Sequence, residues 1–263
     1  MNAFNPIDRP AGHPLVSLEI LDGSIALLTL CDTDRRNALR IELSLDLEAA
    51  VNEAMAANID VLILTATPPV FCSGGDLDDL VTPRASLSDI ARGTQALASA
   101  PIPTIAVVEG AVIGAGINLP LACDVILCTP DASFDPRLLD LGVHPGGGQL
   151  RALALRIGRQ GAAALSLLGD RLTGVEAAEV GLAWRCLPAA DIGERALSLA
   201  RRTASRPQEA MRRAKQTLDE TINVDRESAV EIELEQQQWS IEQPWIPERV
   251  AVLREKLAHR RSD

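Results

Sequence analysis

Short apolar runs rich in β-branched residues recur along the first half of the chain, and helical segments lie between them. The clearest are DVLILTA at 60–66, TIAVVEG at 104–110 and DVILCT at 124–129. Runs of this kind are typical of strands buried on both faces. Their alternation with helices, such as IELSLDLEAAVNEAMA at 41–56, predicts a parallel sheet with crossover connections, and therefore an α/β fold.

The two ends of the chain differ from this alternating centre. After a tail of about a dozen residues, LVSLEIL and SIALLTL are separated by Asp22 and Gly23, which predicts a hairpin. From about Gly146 the sequence is mostly helical, with one possible strand at LAWRCL. We therefore predict a core domain over 14–200 and a helical C-terminal region over 201–263.

Bulk composition excludes several classes of protein. Of 263 residues, 47% are apolar, which suits a folded domain rather than a disordered chain. Glycines, Glu109, Asn118 and Pro120 interrupt the longest apolar stretch, so no membrane span is expected, and the N-terminus lacks an export signal. A net charge of −11 argues against nucleic-acid binding. We expect a cytoplasmic protein.

The five cysteines are odd in number and have neither CxxC spacing nor histidines nearby. This pattern indicates reduced, mostly buried thiols rather than a disulfide framework or a metal site. We therefore predict no bound metal.

Two loops of small residues follow successive strands of the predicted sheet. The first is FCSGGD at 71–76, and the second is GAVIGAGIN at 110–118. Small residues allow a ligand to approach the backbone closely, and N–H groups at the start of a following helix point outward. Two such turns side by side are able to place two N–H groups on one developing oxyanion.

Each loop alone is a weak signal, since glycine-rich turns also serve packing or phosphate binding. The second loop lacks the third glycine of GxGxxG, and GxxxxGK[ST] does not occur in the chain. These observations disfavour a nucleotide-binding protein.

Several segments together resemble the crotonase superfamily, the enoyl-CoA hydratase/isomerase family. The similarity lies in the order and spacing of RRNAL, FCSGGD, VVEGAVIGAGINLPLACDVIL, ASFDPRLLDLGVHPGGG and LLGDRLTGVEAAEVGLAWRCLP, which cover about residues 14 to 220. Several motifs in register are far more specific than any one of them. The resemblance implies a spiral of ββα units with a helical C-terminal trimerisation region, assembled as a homotrimer or a dimer of trimers.

The resemblance also implies an acyl-CoA thioester as substrate, without a separate cofactor. The Gly75 and Ala115 N–H groups would form an oxyanion hole. Backbone around Arg36 would hold the adenine and pantetheine end of CoA, and Lys256 or Arg260 of the last helix could reach its phosphates. The predicted substrate and CoA contacts are Arg36, Ala38, Leu39, Ser73, Gly74, Asp76, Leu138, Gly146 and Lys256. For Lys256 a solvated helix face is the alternative, and for Asp76 a helix cap.

The sequence departs from the family at the positions that carry acid and base. Hydratases of this family use two glutamates, and the matching positions here are Asn118 and, in our register, Leu138. An amide is able to orient water but does not exchange protons near neutral pH, and leucine does neither. A thioester would be polarised here but hydrated poorly.

Two nearby residues are candidates to move the proton. Asp140 lies two residues beyond Leu138, although it could instead pair with Arg137. His144 begins HPGGG, and histidine exchanges protons near pH 7, although a loop histidine is often structural. HPGGG also resembles an esterase oxyanion loop, but the chain contains no GxSxG nucleophile motif.

These observations leave three hypotheses. The leading one is an enzyme that acts on an enoyl-CoA through a stabilised enolate, with Asp140, His144 and Asn118 as candidate catalytic residues, in fatty-acid or related acyl-CoA metabolism. The second is a non-catalytic protein that binds acyl-CoA or an acyl-carrier thioester. The third, a purely structural oligomer, would leave the small residues of both loops without a function.

Overall fold

The computed structural model describes residues 15–259, with side chains through Leu257. The predicted N-terminal tail and Arg260 lie outside the described residues. Two compact units divide the chain, one ending at Ala204 and the other beginning at Ser205. The boundary predicted after residue 200 falls inside the last helix of the first unit.

The strands of the first unit are β1 (Val16–Leu21), β2 (Ile25–Leu30), β3 (Val61–Ala66), β4 (Val70–Cys72), β5 (Thr104–Val108), β6 (Ala111–Ile113), β7 (Val125–Cys128), β8 (Ser133–Asp135), β9 (Leu172–Thr173) and β10 (Arg185–Cys186). Its helices are α1 (Ile41–Ala56), α2 (Leu77–Val81), α3 (Leu87–Ile90), α4 (Arg92–Ala98), α5 (Asn118–Leu121), α6 (Gln149–Leu167), α7 (Gly174–Glu179) and α8 (Ala189–Ala204). Short 3₁₀ helices span Thr33–Arg35, Gly114–Ile117 and Leu138–Leu141.

The larger sheet has the strand order β1-β2-β3-β5-β7-β10. The β1–β2 pair is antiparallel and the remaining pairs are parallel. The predicted hairpin and the predicted parallel sheet are therefore both confirmed. The strand predicted at LAWRCL shrinks to Arg185–Cys186 at the sheet edge.

Alternate residues of the central strands enter two separate cores. Leu28 and Leu62 belong to the core that includes α1, whereas Leu27 and Val61 belong to the core that includes α8. Because β2 and β3 are buried on both faces, their sequences are almost continuously apolar instead of alternating. This double burial explains why apolar runs identified the strands.

A second sheet of four short strands, in the order β4-β6-β8-β9, stands beside the first. Strands β4, β6 and β8 are parallel, and β9 pairs antiparallel with β8. The loop at 71–76 starts in β4, and the loop at 110–118 contains β6. Because β4 and β6 are neighbouring strands, the two loops lie side by side. The fold is thus mixed α/β, with parallel sheets and a helical C-terminal region, as predicted.

The second unit contains α9 (Gln208–Thr221), α10 (Arg226–Ile241) and α11 (Ile246–His259). The Arg213 guanidinium lies 4.0 Å from the ring centroid of Trp239, which packs edge-on against Trp245 at 5.9 Å. Large apolar side chains remain exposed on this unit, among them Leu218, Ile222, Leu234, Ile241, Leu253 and Leu257. Within residues 15–259, no helix is both long and apolar enough to cross a membrane.

Candidate active site

The two loops of small residues pack directly against each other. A Cβ atom at Gly74 would stand 2.7 Å from the Ile113 carbonyl oxygen and 3.7 Å from the Ala115 nitrogen. A Cβ at Gly116 would stand 2.8 Å from the Cys72 sulfur. Gly74 also has φ +94°, a conformation that side-chain-bearing residues rarely adopt. The close approach of the loops therefore requires glycine at both positions.

Among residues 15–259, the N–H groups of Gly75 and Ala115 have no main-chain partner in the loops that carry them. Gly75 forms a parallel bridge with Leu39, in which Leu39 N–H donates to the Gly74 oxygen (2.7 Å) and Asp76 N–H donates to the Leu39 oxygen (3.3 Å). The N–H of Gly75 itself therefore points away from Leu39. Ala115 is the second residue of a 3₁₀ helix, where N–H groups lack an intrahelical partner. Both residues are partly exposed, whereas Gly74 and Gly116 are buried.

The loop at residues 33–39 lies beside Ser73–Asp76. Ser73 N–H donates to the Arg36 oxygen at 3.0 Å. Arg36 is exposed with φ 52°, while Ala38 and Leu39 are buried. The structure therefore brings three of the predicted CoA contacts next to Gly74 and Gly75. Asp76 caps α2, since its side chain accepts from the N–H groups of Asp78 and Asp79.

Asn37 anchors this loop, and sequence reasoning missed it. Its side chain is fully buried, and Nδ2 donates to the carbonyl oxygens of Val70 (3.0 Å) and Phe71 (3.2 Å) in β4. Asn37 has φ 53°, which asparagine tolerates better than most residues. The sequence contained one signal of this role, because asparagine tolerates the left-handed conformation that tight turns require.

We expect Asn37→Ala to lower the free energy of unfolding by about 2–4 kcal/mol, because it removes a buried amide donor and adds left-handed strain. Asn58→Ala is the control, since Asn58 has φ 55° but is exposed at the end of α1. It should cost about 1 kcal/mol. Chemical denaturation measures both, and equal losses would contradict the anchoring role.

Asn118 ends the second glycine-rich loop, and the Leu138 side chain lies near Gly114 of the same loop. Asn118 Nδ2 donates to the Gly146 oxygen at 3.1 Å, and its Oδ1 is buried without a hydrogen-bond partner among the described residues. A Cβ atom added at Gly114 would lie 3.6 Å from the Leu138 side chain, which is its nearest neighbour. Both predicted positions therefore lie at the second loop.

Asp140 and Leu138 lie in one 3₁₀ helix, but their side chains lie near different glycines, Gly169 and Gly114 respectively. The Asp140 Oδ1 is 4.0 Å from a Cβ built on Gly169, and the residue is exposed. Arg137 pairs with Asp135 rather than with Asp140. Asp135, and more weakly Asp140, raise the pKa of Arg137. Within residues 15–259, the Asp140 carboxylate therefore forms no direct ion pair with Arg137.

His144 is exposed, and its Nδ1 lies 2.7 Å from the carbonyl oxygen of Pro145. A carbonyl oxygen only accepts, so Nδ1 is the donor in this contact. The next carbonyl, of Gly146, accepts from Asn118. One turn of HPGGG therefore connects His144 to the glycine-rich loop.

The Cys72 thiol is not available as a nucleophile. It is completely buried and donates to the Asn37 oxygen at 2.9 Å, and burial raises its pKa to about 12. None of the five cysteines forms a disulfide within the described residues, and four are buried. In the part of the chain that the structure describes, no three His, Cys, Asp or Glu side chains cluster to hold a metal ion. Lys256 lies on α11 in the second unit and is exposed.

The larger, mostly parallel sheet, the short second sheet and the two loops of small residues that pack together define a protein of crotonase-like fold. The family model for enoyl-CoA hydratase/isomerase matches residues 21–258. The chain therefore belongs to the enoyl-CoA hydratase/isomerase family.

Similar proteins cover most of the chain. EchA14 of Mycobacterium tuberculosis H37Rv, named a probable enoyl-CoA hydratase, is 36% identical over 88% of this chain and 94% of its own. The 2,3-dehydroadipyl-CoA hydratase of Escherichia coli K12 is 33% identical over 76% and 80%. Among solved structures, an enoyl-CoA hydratase of Bacillus anthracis has a TM-score of 0.85 at 27% identity, covering 92% and 96%. A Thermobifida fusca protein crystallised with acetoacetyl-CoA has a TM-score of 0.79 at 25% identity, covering 87% and 95%.

Proposed function

We propose that this protein is an enzyme that acts on an enoyl-CoA or related acyl-CoA thioester, and that Gly75 and Ala115 N–H groups stabilise the enolate oxyanion. The observation that carries the proposal is the direct packing of the two loops, in which neither N–H group has a main-chain partner within the described part of the chain. The acetoacetyl-CoA complex of the Thermobifida fusca protein supports a CoA thioester as the ligand.

The chemistry of this arrangement is polarisation of a thioester carbonyl. As charge develops on the carbonyl oxygen, two fixed N–H donors stabilise it more strongly than they stabilise the ground state. One such donor contributes about 10²- to 10³-fold to the rate. The reaction needs no separate cofactor, because CoA arrives as part of the substrate.

The proton-transfer step departs from the two-glutamate mechanism. Asn118 and Leu138 occupy the positions where the resemblance implies carboxylates, and neither side chain exchanges protons near pH 7. The proposed proton carriers are Asp140, which has no direct ion pair among the described residues, and His144, which is exposed and whose Nδ1 lies against the Pro145 oxygen. Asn118 orients water or substrate. Hydration, double-bond isomerisation and thioester hydrolysis are all compatible with this set.

The remaining proposed contacts hold CoA. The loop with Arg36, Ala38 and Leu39 lies beside Ser73, Gly74 and Asp76. Gly146 and Leu138 border the second loop. Lys256 is the proposed contact to CoA phosphates.

The proposal includes assembly and location. Exposed apolar side chains on α9, α10 and α11 fit a homotrimer or a dimer of trimers, in which such surfaces are covered. Five cysteines that form no disulfide within the described residues fit a reducing compartment such as the cytoplasm.

One pair of measurements tests the function. Purified protein is mixed with crotonyl-CoA, loss of the conjugated thioester absorbance is followed, and butyryl-CoA binding is measured by calorimetry. We expect both binding and turnover. Binding without turnover would favour the second candidate, a non-catalytic acyl-CoA binding protein. The specific argument for it is Leu138, an apolar side chain that lies 3.6 Å from a Cβ built on Gly114. Absence of binding would reject both.

A further inference from the structure

Five charged side chains of alternating sign form a continuous chain of ion pairs beside the site. Asp32 pairs with Arg40 at 2.9 Å, and Arg40 pairs with Glu42 at 3.1 Å. Glu42 pairs with Arg84 at 2.8 Å. Arg84 donates two hydrogen bonds to the Asp79 carboxylate, from Nε to Oδ1 at 2.5 Å and from Nη2 to Oδ2 at 2.9 Å. The sequence separation between Glu42 and Arg84 shows that this chain joins distant segments.

The two ends of the ion-pair chain lie on the two backbone segments that build the site. At one end, the Asp32 carbonyl oxygen accepts from the N–H groups of Arg35 (3.2 Å) and Asn37 (2.8 Å), which closes the 33–39 loop. At the other end, Asp79 lies in the first turn of α2, whose cap Asp76 directly follows Gly75. The ion pairs therefore connect the proposed CoA loop to the helix that begins just after the proposed oxyanion donor.

Arg84 is the last link of this ion-pair chain at α2, and a separate ion pair joins the α2 cap Asp76 to Arg35 of the 33–39 loop at 3.1 Å. The Asp79 side chain is only 6% exposed, so its carboxylate depends on this guanidinium, and the hydrogen bonds from Arg84 lower the pKa of Asp79. The two-pronged contact fixes the carboxylate in orientation as well as in position. Asp76 and Asp78 add negative charge to the same helical turn, and Arg84 offsets their repulsion with Asp79.

A surface ion pair of ordinary kind is available for comparison. Arg92 pairs with Glu48 of α1 at 2.7 Å, and its side chain is 48% exposed, the same as that of Arg84. Glu48 is 25% exposed, however, and this pair joins α4 to the middle of α1 rather than to either site loop. Exposed pairs of this kind contribute little.

We propose that Arg84 is a positioning residue for the oxyanion hole: by fixing Asp79 it holds the first turn of α2, and thereby holds the Gly75 N–H in the direction of the thioester carbonyl. The inference rests on the proposed function at the same site. It goes beyond that function because it assigns the alignment of a main-chain donor to a side chain that does not touch the substrate.

The test reads the alignment of the donor directly. Butyryl-CoA labelled with ¹³C at the carbonyl is bound to the full-length protein, and isotope-edited infrared spectroscopy measures the downward shift of the carbonyl stretch on binding. Butyryl-CoA has no double bond to hydrate, so the readout is independent of turnover. The variants are Arg84→Met, Arg84→Lys and the matched control Arg92→Met, each checked by thermal melting.

We expect a clear shift in wild type and in Arg92→Met, and roughly half of that shift in Arg84→Met, with the dissociation constant for butyryl-CoA changed by less than about twofold. The turnover number with crotonyl-CoA should fall about tenfold. Arg84→Lys should fail to restore the shift, because one ammonium group does not reproduce the guanidinium fork. A role in general stability would instead lower melting and leave the carbonyl shift intact.

The outcomes separate the two proposals. If wild-type protein binds butyryl-CoA without any carbonyl shift, the oxyanion hole is rejected and the role of Arg84 falls with it. If wild type shows the shift and both Arg84 variants keep it in full, the oxyanion hole stands and the positioning role is overturned. Should Arg84→Met not fold, the Arg84→Lys spectrum decides by itself.

Discussion

Replacing Gly74 by alanine is expected to lower the turnover number by about 10²- to 10³-fold, the contribution of one oxyanion donor. The new Cβ would stand 2.7 Å from the Ile113 carbonyl oxygen, so the two loops must separate. That movement displaces the Ala115 N–H from the Gly75 N–H. The φ of +94° adds strain, and the free energy of unfolding should drop by about 2–4 kcal/mol. Steady-state kinetics and chemical denaturation measure the two effects.

Gly23→Ala separates backbone strain from the clash. Gly23 has φ +75°, but a Cβ there meets no atom within 4 Å, and the residue lies in the β1–β2 turn. We expect a stability loss of about 1 kcal/mol and unchanged turnover. If Gly74→Ala also kept wild-type turnover, the contact between the loops would have no part in catalysis.

Replacing Asp140 by asparagine is expected to lower the turnover number by about 10²- to 10⁴-fold, the usual contribution of a general acid or base. The amide preserves the size of the side chain but does not accept a proton. Because Asp140 is exposed and its carboxylate has no direct ion pair among the described residues, the change should leave thermal melting unaltered. His144→Gln tests the other candidate in the same assay.

Asp170→Asn is the matched control for the carboxylate. It makes the same chemical change on an exposed loop next to Gly169, where Asp170 accepts a hydrogen bond from the Arg171 N–H. We expect wild-type turnover. A full loss in His144→Gln with full activity in Asp140→Asn would transfer the proton-carrying role to the histidine.

The larger sheet was predictable because its central strands are buried on both faces. Strands β2 and β3 have no solvent-exposed residue, so each presents six consecutive positions of mostly apolar type. The second sheet was not predictable in the same way. Strands β4, β6 and β8 have three residues each, too few to show a period, and β9 has two.

The candidate site, like the fold, could be predicted from the sequence only in part. Small residues after β3 and β5 predicted both loops, because close backbone approach demands them. Asn37 escaped prediction because its partners in β4 lie 33 and 34 positions away. Arg84 escaped prediction because it joins Asp79, five positions away, to Glu42, 42 positions away. A single sequence does not reveal which asparagine reaches β4 or which arginine grips Asp79. The direction of Asp140 likewise depends on the turn of its 3₁₀ helix, which the sequence left undefined.

Main-chain donors have a property that no side chain shares, since any amino acid except proline supplies the same N–H. Substitution at residue 115 therefore changes the surroundings of that group without deleting it. A side-chain carboxylate such as that of Asp140, in contrast, is removed by a single substitution. Variants of this protein are thus able to exchange the proposed proton carriers, and so to form other products, while they keep the proposed main-chain contacts to the carbonyl.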